Sequence, residues 1–106
     1  MIERESIVIS REDAIEIATK YVSDMEMVVC IPLRLVKNHI ITRDFGWVFF
    51  YEGVPDPSVR DTNYLLAGNA PFIIDKKDGS LHVTGTAEPV EVYMDNYERT
   101  RFPHSA

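Results

Sequence analysis

The sequence has a single cysteine and no long apolar run. Among its 106 residues Cys30 cannot form an internal disulfide, so a reducing compartment is the simpler expectation. No apolar stretch approaches the roughly 20 residues that cross a bilayer, and the chain is charged from Glu3 onward. We therefore expect a cytoplasmic protein with neither a membrane span nor a signal peptide.

Basic side chains are also few. The chain has 11 Lys and Arg against 17 Asp and Glu, which gives a formal net charge of −6. This excess of negative charge opposes contact with nucleic-acid phosphates and with anionic lipid. An acidic surface can bind a basic protein, although the same charge balance also serves solubility alone. We expect no nucleic-acid partner and no membrane partner.

The residue types that build reactive centres are scattered. His39, His82 and His104 lie far apart in the sequence, without the close spacing of metal ligands. Cys30 stands in an apolar stretch, where burial would suppress the thiolate, so we interpret it as a packing residue. No glycine-rich phosphate loop opens onto a helix. The sequence predicts no catalytic residue, no metal site and no cofactor.

The composition is that of a globular protein. A hydrophobic fraction of 45% in a chain of 106 residues is enough to bury a core without metal or disulfide. We expect residues 1–106 to form one domain.

The N-terminal part of the chain predicts an amphipathic helix. Ser10 and Asp13 have the spacing of a capping box, so the helix should begin at Arg11. Ser23 and Asp24 disfavour helix interiors and predict its end. The apolar side that results from a 100° rotation per residue consists of Ala14, Ile17, Ala18, Tyr21 and Val22. This side should cover a sheet.

Strands are predicted in the middle of the chain. The apolar residues from Met27 to Val36 predict a strand that is an edge strand or is broken at Pro32. The run from Gly46 to Glu52 is apolar on both faces, so it should lie in the sheet interior or have its second face covered. Two helices, or one helix and a partner, could supply that cover. Ile7 to Ile9 could form an edge strand, pack onto the helix or contact a second copy in a homodimer. These alternatives stay open.

The C-terminal part predicts a hairpin followed by a helix. Phe72 to Ile74 form one strand, and a turn at Gly79 leads to a second strand. In that second strand Leu81 and Val83 alternate with His82 and Thr84, which predicts one side facing solvent. Thr86 should cap a helix in which Pro89 lies near the start. The apolar stripe of this helix is Val90, Tyr93, Met94 and Tyr97.

The segment from Gly53 to Asn63 has no periodicity and contains Pro55 and Pro57, so it is predicted to be a loop. Its length leaves two interpretations, a binding loop or a disordered connection without function.

An acidic row lines the predicted C-terminal helix. It consists of Glu88, Glu91, Asp95 and Glu98, which recur on one side of the helix. A solvated helix face and a docking site for a basic partner both explain such a row. These four residues are the candidate partner-binding residues.

Two stretches resemble one family. Gly46-Trp47-Val48-Phe49-Phe50-Tyr51 resembles its GWxFFY-like strand. The residues from Leu66 to Asp75, then Gly79, Gly85-Thr86-Ala87 and Pro89 to Tyr93, resemble its LAGNAPxIVD…G…GTAxPxExY signature. This is the YrhB-type domain, also called the immunity protein 35 family. Val92 departs from it, because a second glutamate is common at that place.

The resemblance implies a small bacterial cytoplasmic α+β domain. Such domains are often encoded beside polymorphic toxins and are thought to neutralise them by binding, and a chaperone-like role has been attached to some members. The family has no agreed catalytic residues, so the resemblance implies none here.

We therefore predict an α+β fold in which the N-terminal helix packs on an antiparallel sheet of about four strands, with a short C-terminal helix at its edge. The predicted function is that of an immunity protein, which neutralises a cognate polymorphic bacterial toxin by direct stoichiometric binding. The alternative is a chaperone-like holdase that binds unfolded client proteins. A homodimer stays open.

Overall fold

A computed structural model describes residues 8–55 and 69–104. The elements in chain order are α1 (Arg11–Val29), β1 (Leu33–Leu35), β2 (Ile41–Arg43), β3 (Gly46–Phe49), β4 (Tyr51–Gly53), β5 (Phe72–Asp75), β6 (Leu81–Val83) and α2 (Val90–Thr100). An antiparallel four-stranded sheet has the order β2-β3-β5-β6, and β1 pairs with β4 in a separate two-stranded sheet. The predicted α+β class is confirmed.

The start of α1 is the predicted one. The Asp13 N–H donates to Ser10 Oγ at 3.0 Å, and the Ser10 N–H donates to Asp13 Oδ2 at 3.2 Å, which completes the capping box. Ile9 packs against the core, and its N–H donates to the Lys76 carbonyl at 2.8 Å. Of the alternatives for Ile7 to Ile9, packing at the helix start fits Ile9, while Ile7 lies outside the described residues.

The predicted end of α1 is wrong. The helix continues through Ser23 and Asp24 to Val29, because these two side chains are exposed and Asp24 forms an ion pair at 3.0 Å with Lys20 one turn earlier. It ends at Cys30, whose φ of 59° is left-handed and whose N–H donates to the Glu26 carbonyl. The interpretation of Cys30 as a packing residue is also wrong, because its side chain is exposed.

The strand predicted from Met27 to Val36 is therefore shorter. Met27 to Val29 form the last turn of α1, and β1 begins at Leu33, directly after Pro32. Proline cannot donate a hydrogen bond to a strand neighbour, so Pro32 contributes its carbonyl alone, which accepts the Val54 N–H, and the strand begins at the next residue. Among the described residues β1 pairs only with β4, so it is an edge strand as expected.

The central strands β3 and β5 are buried on both faces. One cluster lies between the sheet and α1. In it, the strand residues Trp47, Phe49, Phe72 and Ile74 pack with Tyr51 of β4 and with Ala14, Ala18 and Val22 of α1. Val48 and Ile73 point the other way and pack with Phe45, Met94 and Tyr97, of which the last two belong to α2. Two helices thus cover the two faces. The expectation that α2 lies at the edge of the sheet is wrong, because its apolar stripe covers the second face.

Close contact between β3 and β5 depends on Gly46. Gly46 pairs with Asp75 and has a φ of 148°, and a Cβ at this position would collide with the Ile74 carbonyl oxygen. A side chain there would separate the two central strands.

The face of β6 that was predicted to face solvent packs against α2 instead. The His82 ring lies 4.9 Å from the Tyr97 ring, and Thr84 is buried, with its N–H donating to the Pro71 carbonyl. Val83, on the opposite face, is 41% exposed. The reason is that α2 covers the side that His82 and Thr84 share.

The start of α2 also differs from the prediction. The helix begins at Val90 with Pro89 as its N-cap, and no side chain caps it, so Thr86 lies outside the helix. The predicted stripe is confirmed, since Tyr93, Met94 and Tyr97 are buried and Val90 packs on the same cluster.

A buried polar pair connects α2 to the sheet. The Tyr97 hydroxyl donates to Asp75 Oδ2 at 2.5 Å, and the Lys77 N–H donates to Asp75 Oδ1 at 2.9 Å. Both side chains are buried, so the carboxylate needs these donors. The pKa of the Tyr97 hydroxyl is raised far above its usual value. Burial is the largest cause, followed by the hydrogen bond to Asp75 and the negative charge of Asp75.

Two segments of the sequence analysis fall outside the described residues. The predicted loop begins only after Gly53, which ends β4, and residues 56–63 are not described. Leu66 to Gly68 of the family signature are not described either. No helix in the described part of the chain is both long and apolar enough to span a bilayer.

Tyr97→Phe should lower the free energy of unfolding by roughly 1–3 kcal/mol, because the buried Asp75 carboxylate loses a donor. Urea unfolding monitored by circular dichroism measures this. Tyr93→Phe is the matched control on the same helix. It removes a hydroxyl whose one hydrogen-bond partner among the described residues is the uncharged Glu88 N–H, at 3.2 Å, so its loss should be smaller. Equal losses in the two variants would contradict the role given to Asp75.

The stability of the protein should fall at alkaline pH. The folded pKa of Tyr97 is raised, so this group contributes stability that is complete below the ordinary tyrosine pKa of about 10 and is lost as pH rises beyond it. Burial also raises the pKa of Tyr21 and Tyr51. Urea unfolding at increasing pH should therefore show a decline that is less steep in Tyr97→Phe. An identical decline in both proteins would show that Tyr97 does not contribute to it.

Candidate partner-binding surface

The orientation of α2 determines where its acidic side chains lie. Because Tyr93, Met94 and Tyr97 point into the core, the opposite side of α2 faces outward. Glu91, Asp95 and Glu98 follow one another at i, i+4 and i+7, and all three are exposed. They form a continuous strip along the outer side of the helix.

The fourth member of the acidic row, Glu88, lies before the helix. Its side chain is exposed, and its N–H donates to the Tyr93 hydroxyl at 3.2 Å. This bond attaches the segment before α2 to the buried face of the helix. The row therefore extends from the end of the preceding loop to the last turn of α2.

Only one member of the row has a basic neighbour in the described residues. Glu98 Oε1 lies 3.5 Å from Nη1 of Arg43 on β2, and both side chains are partly exposed. Glu91 and Asp95 form no ion pair within residues 8–55 and 69–104. The negative charge of the row is thus only partly compensated at its C-terminal end.

The basic residues at the end of α2 are directed at their own helix. Arg99 Nη2 donates to Asn96 Oδ1 at 2.8 Å, and the Arg101 guanidinium lies 5.7 Å from the centre of the Tyr97 ring. Asn96 is buried and donates to the Pro103 carbonyl at 3.1 Å. These contacts hold the cations beside the helix end and leave Glu91 and Asp95 without them.

The structure does not bring Cys30 and the histidines together. Cys30 is exposed at the end of α1, and the His39 ring packs against Phe50 at 4.6 Å. His104 Nε2 donates to the Val83 carbonyl at 3.2 Å, at the open edge of β6. In the described part of the chain no group of three His, Cys, Asp or Glu residues is placed to hold a metal ion.

Sequence reasoning missed the polar cluster at the turn between β5 and β6. Besides the Asp75 and Tyr97 pair, Ser80 Oγ lies 2.8 Å from His82 Nε2. Hydrogen bonds from Ser80 lower the pKa of Asp78, which accepts the Ser80 N–H at 2.9 Å. The sequence contained one indication of this cluster, because Asp75 ends an apolar strand and Tyr97 lies in the apolar stripe of the following helix. The cluster supports the turn and α2.

Sequence reasoning also missed a groove, because β1 and the end of α1 were predicted as one strand. The groove, hereafter the α1–β1 groove, has a volume of about 280 Å³. It is lined by Thr19, Val22, Ser23 and Glu26 of α1 and by Leu33, Arg34, Leu35 and Lys37. It lies on the opposite face of the sheet from the acidic row, because α1 and α2 cover different faces.

Comparison with known proteins identifies the family. The family model described as Immunity protein 35 matches residues 12–99. A relative in Escherichia coli (strain K12), named "Uncharacterized protein YrhB", is 39% identical over 90 residues, which cover 85% of this chain and 89% of that protein. No solved structure matches the chain. The chain belongs to the immunity protein 35 family.

Proposed function

We propose that this chain is an immunity protein that neutralises a cognate polymorphic bacterial toxin by direct, stoichiometric binding in the cytoplasm. The observation that carries the proposal is the family match over residues 12–99, since the family is described as an immunity protein. That description suggests a protein partner and a non-enzymatic role.

The acidic row is the surface proposed to meet the toxin first. Its side chains are exposed, and the buried tyrosines Tyr93 and Tyr97 anchor α2 to the sheet. The positions of the charges on the helix are therefore well defined. Clustered charge of one sign accelerates the encounter with a basic surface. A standard interface buries about 800 Å² per partner, so the row would supply one part of a larger contact area. Inhibition would follow from covering the toxin's active site.

A chaperone-like holdase is the second candidate, and one observation favours it. Met27 and Val28, in the last turn of α1, are 79% and 74% exposed. Neighbouring exposed apolar side chains can contact the apolar segments of unfolded proteins. The two functions differ in specificity, because an immunity protein binds one partner and a holdase binds many.

The test is co-expression of the chain with the toxin domain encoded beside its gene. We expect restored growth of the host and a purified complex with one copy of each protein, measured by calorimetry and light scattering. Aggregation assays with heat-denatured, unrelated proteins form the second arm. Suppressed aggregation without any binding of the toxin would replace the proposed function by the holdase.

Neutralising the acidic row should slow association with the toxin by about tenfold or more at low salt, and the difference should shrink as salt is added. The variant combines Glu88→Gln, Glu91→Gln, Asp95→Asn and Glu98→Gln, and stopped-flow fluorescence measures the association rate. The control removes the same charge at exposed acids elsewhere, namely Glu12→Gln, Glu16→Gln, Asp24→Asn and Asp44→Asn. If both variants associate equally fast, the row is a solvated helix face.

A further inference from the structure

The outer edge of β1 pairs with no strand in the described part of the chain. The Val36 N–H donates to the Phe50 carbonyl, and the Val54 N–H donates to the Pro32 carbonyl. Because hydrogen-bonded and non-bonded pairs alternate in an antiparallel ladder, Arg34 also bonds to β4, whereas Leu33 and Leu35 do not. The backbone groups of these two leucines therefore point away from β4.

One of these outward groups is already occupied. Glu26 Oε2, from the end of α1, accepts the Leu33 N–H at 2.9 Å. A carboxylate at this position replaces the carbonyl of a neighbouring strand. The Leu35 N–H and the Leu33 carbonyl have no partner among the described residues. They are spaced as an added strand would require.

The α1–β1 groove lies along this edge. Val22 of α1 is buried at its base, and the half-buried side chains of Leu33 and Leu35 pack on the same core. Thr19 and Ser23 form the helical wall with small side chains. The groove thus combines an apolar base with backbone groups that have no partner in residues 8–55 and 69–104, which is the arrangement that binds an extended peptide by strand addition.

The charges on the groove restrict its occupant. Arg34 is paired with Glu52 at 2.6 Å, and Glu26 is bonded to the Leu33 N–H. Lys37 is the lining residue whose charge has no ion-pair partner within the described residues. An extended segment with an acidic residue near Lys37 and an apolar residue over Val22 complements these walls.

The open edge of β6 offers a contrast. There the Val83 carbonyl accepts a hydrogen bond from His104 Nε2, so part of that edge is occupied by the chain itself. Leu81 of β6 also lines a groove beside α1, whereas the α1–β1 groove is lined by two residues, Leu33 and Leu35, whose backbone groups point away from the neighbouring strand.

We infer that the α1–β1 groove binds an extended segment of the toxin as an additional strand on β1, through the Leu35 N–H and the Leu33 carbonyl. The identity of the partner rests on the proposed function. The acidic row and the groove lie on opposite faces of the sheet, so the segment is a second contact, separate from the electrostatic one.

Residue-resolved amide exchange by NMR tests the inference on the full chain, with and without the toxin domain encoded beside its gene. The Leu35 amide should exchange at least about tenfold more slowly in the complex, because it gains a hydrogen bond. The Arg34 amide is the internal control, since it is bonded to β4 in both states.

A groove-filling variant gives an independent measurement. Ser23→Trp places a large side chain in the α1–β1 groove from an exposed position, and it should weaken toxin binding by about tenfold or more, as measured by calorimetry. Arg11→Trp, exposed at the other end of α1, is the matched control and should bind nearly as the unmodified chain does.

Each outcome has a distinct meaning. If the toxin binds while Leu35 exchange and Ser23→Trp affinity stay unchanged, the strand addition is wrong and the proposed function stands. A second outcome is that the toxin does not bind, while reduced, carboxymethylated α-lactalbumin protects the Leu35 amide. The groove would then bind unfolded chains generally, so the assignment of the toxin as its occupant and the proposed function are both wrong. If neither protein protects Leu35 and no complex forms, both proposals fail.

Discussion

The central strands β3 and β5 are apolar on both faces, and this constraint organises the rest of the described chain. Exposing an apolar surface to water costs about 25 cal/mol per Å², so neither face can be left open. Phe49 and Phe72 point to one side, and Val48 and Ile73 point to the other. The chain supplies a helix for each face, with α1 on the first and α2 on the second. A sheet of this kind between two helices has little apolar face left for recognition.

The proposed recognition of a partner therefore relies on the outer sides of the helices and on the strand edges. The acidic row lies on the outer side of α2, while the α1–β1 groove lies beside an edge on the α1 side. The two surfaces differ in chemistry, since one offers charge and the other offers backbone hydrogen bonds and an apolar base. A partner that used both would extend around the sheet, which would make binding depend on the shape of the partner as well as on its charge.

Local sequence patterns predicted the start of α1 and the buried stripes of both helices correctly. The capping box of Ser10 and Asp13 closes within a few residues, so its geometry follows from the spacing alone. The end of α1 could not be predicted in the same way. Ser23 and Asp24 are weak helix formers, but their side chains lie on the exposed side, and Val22 and the Glu26 bond to Leu33 hold the last turns against β1. Tertiary contacts outweighed propensity there, and Cys30 became an exposed helix cap.

The sequence by itself determined the α+β class, the two-sided apolar strands and the family, because periodicity and motif spacing are local properties. It also determined that Glu91, Asp95 and Glu98 share a side of α2, whereas Glu88, predicted in the same row, lies before the helix. Only the tertiary structure decided that α2 covers the second face of the sheet, that the Tyr97 hydroxyl donates to Asp75, and that a groove lies between α1 and β1. The physical reason is that these contacts join residues distant in sequence, and their partners are chosen by packing and by the need to satisfy buried polar groups.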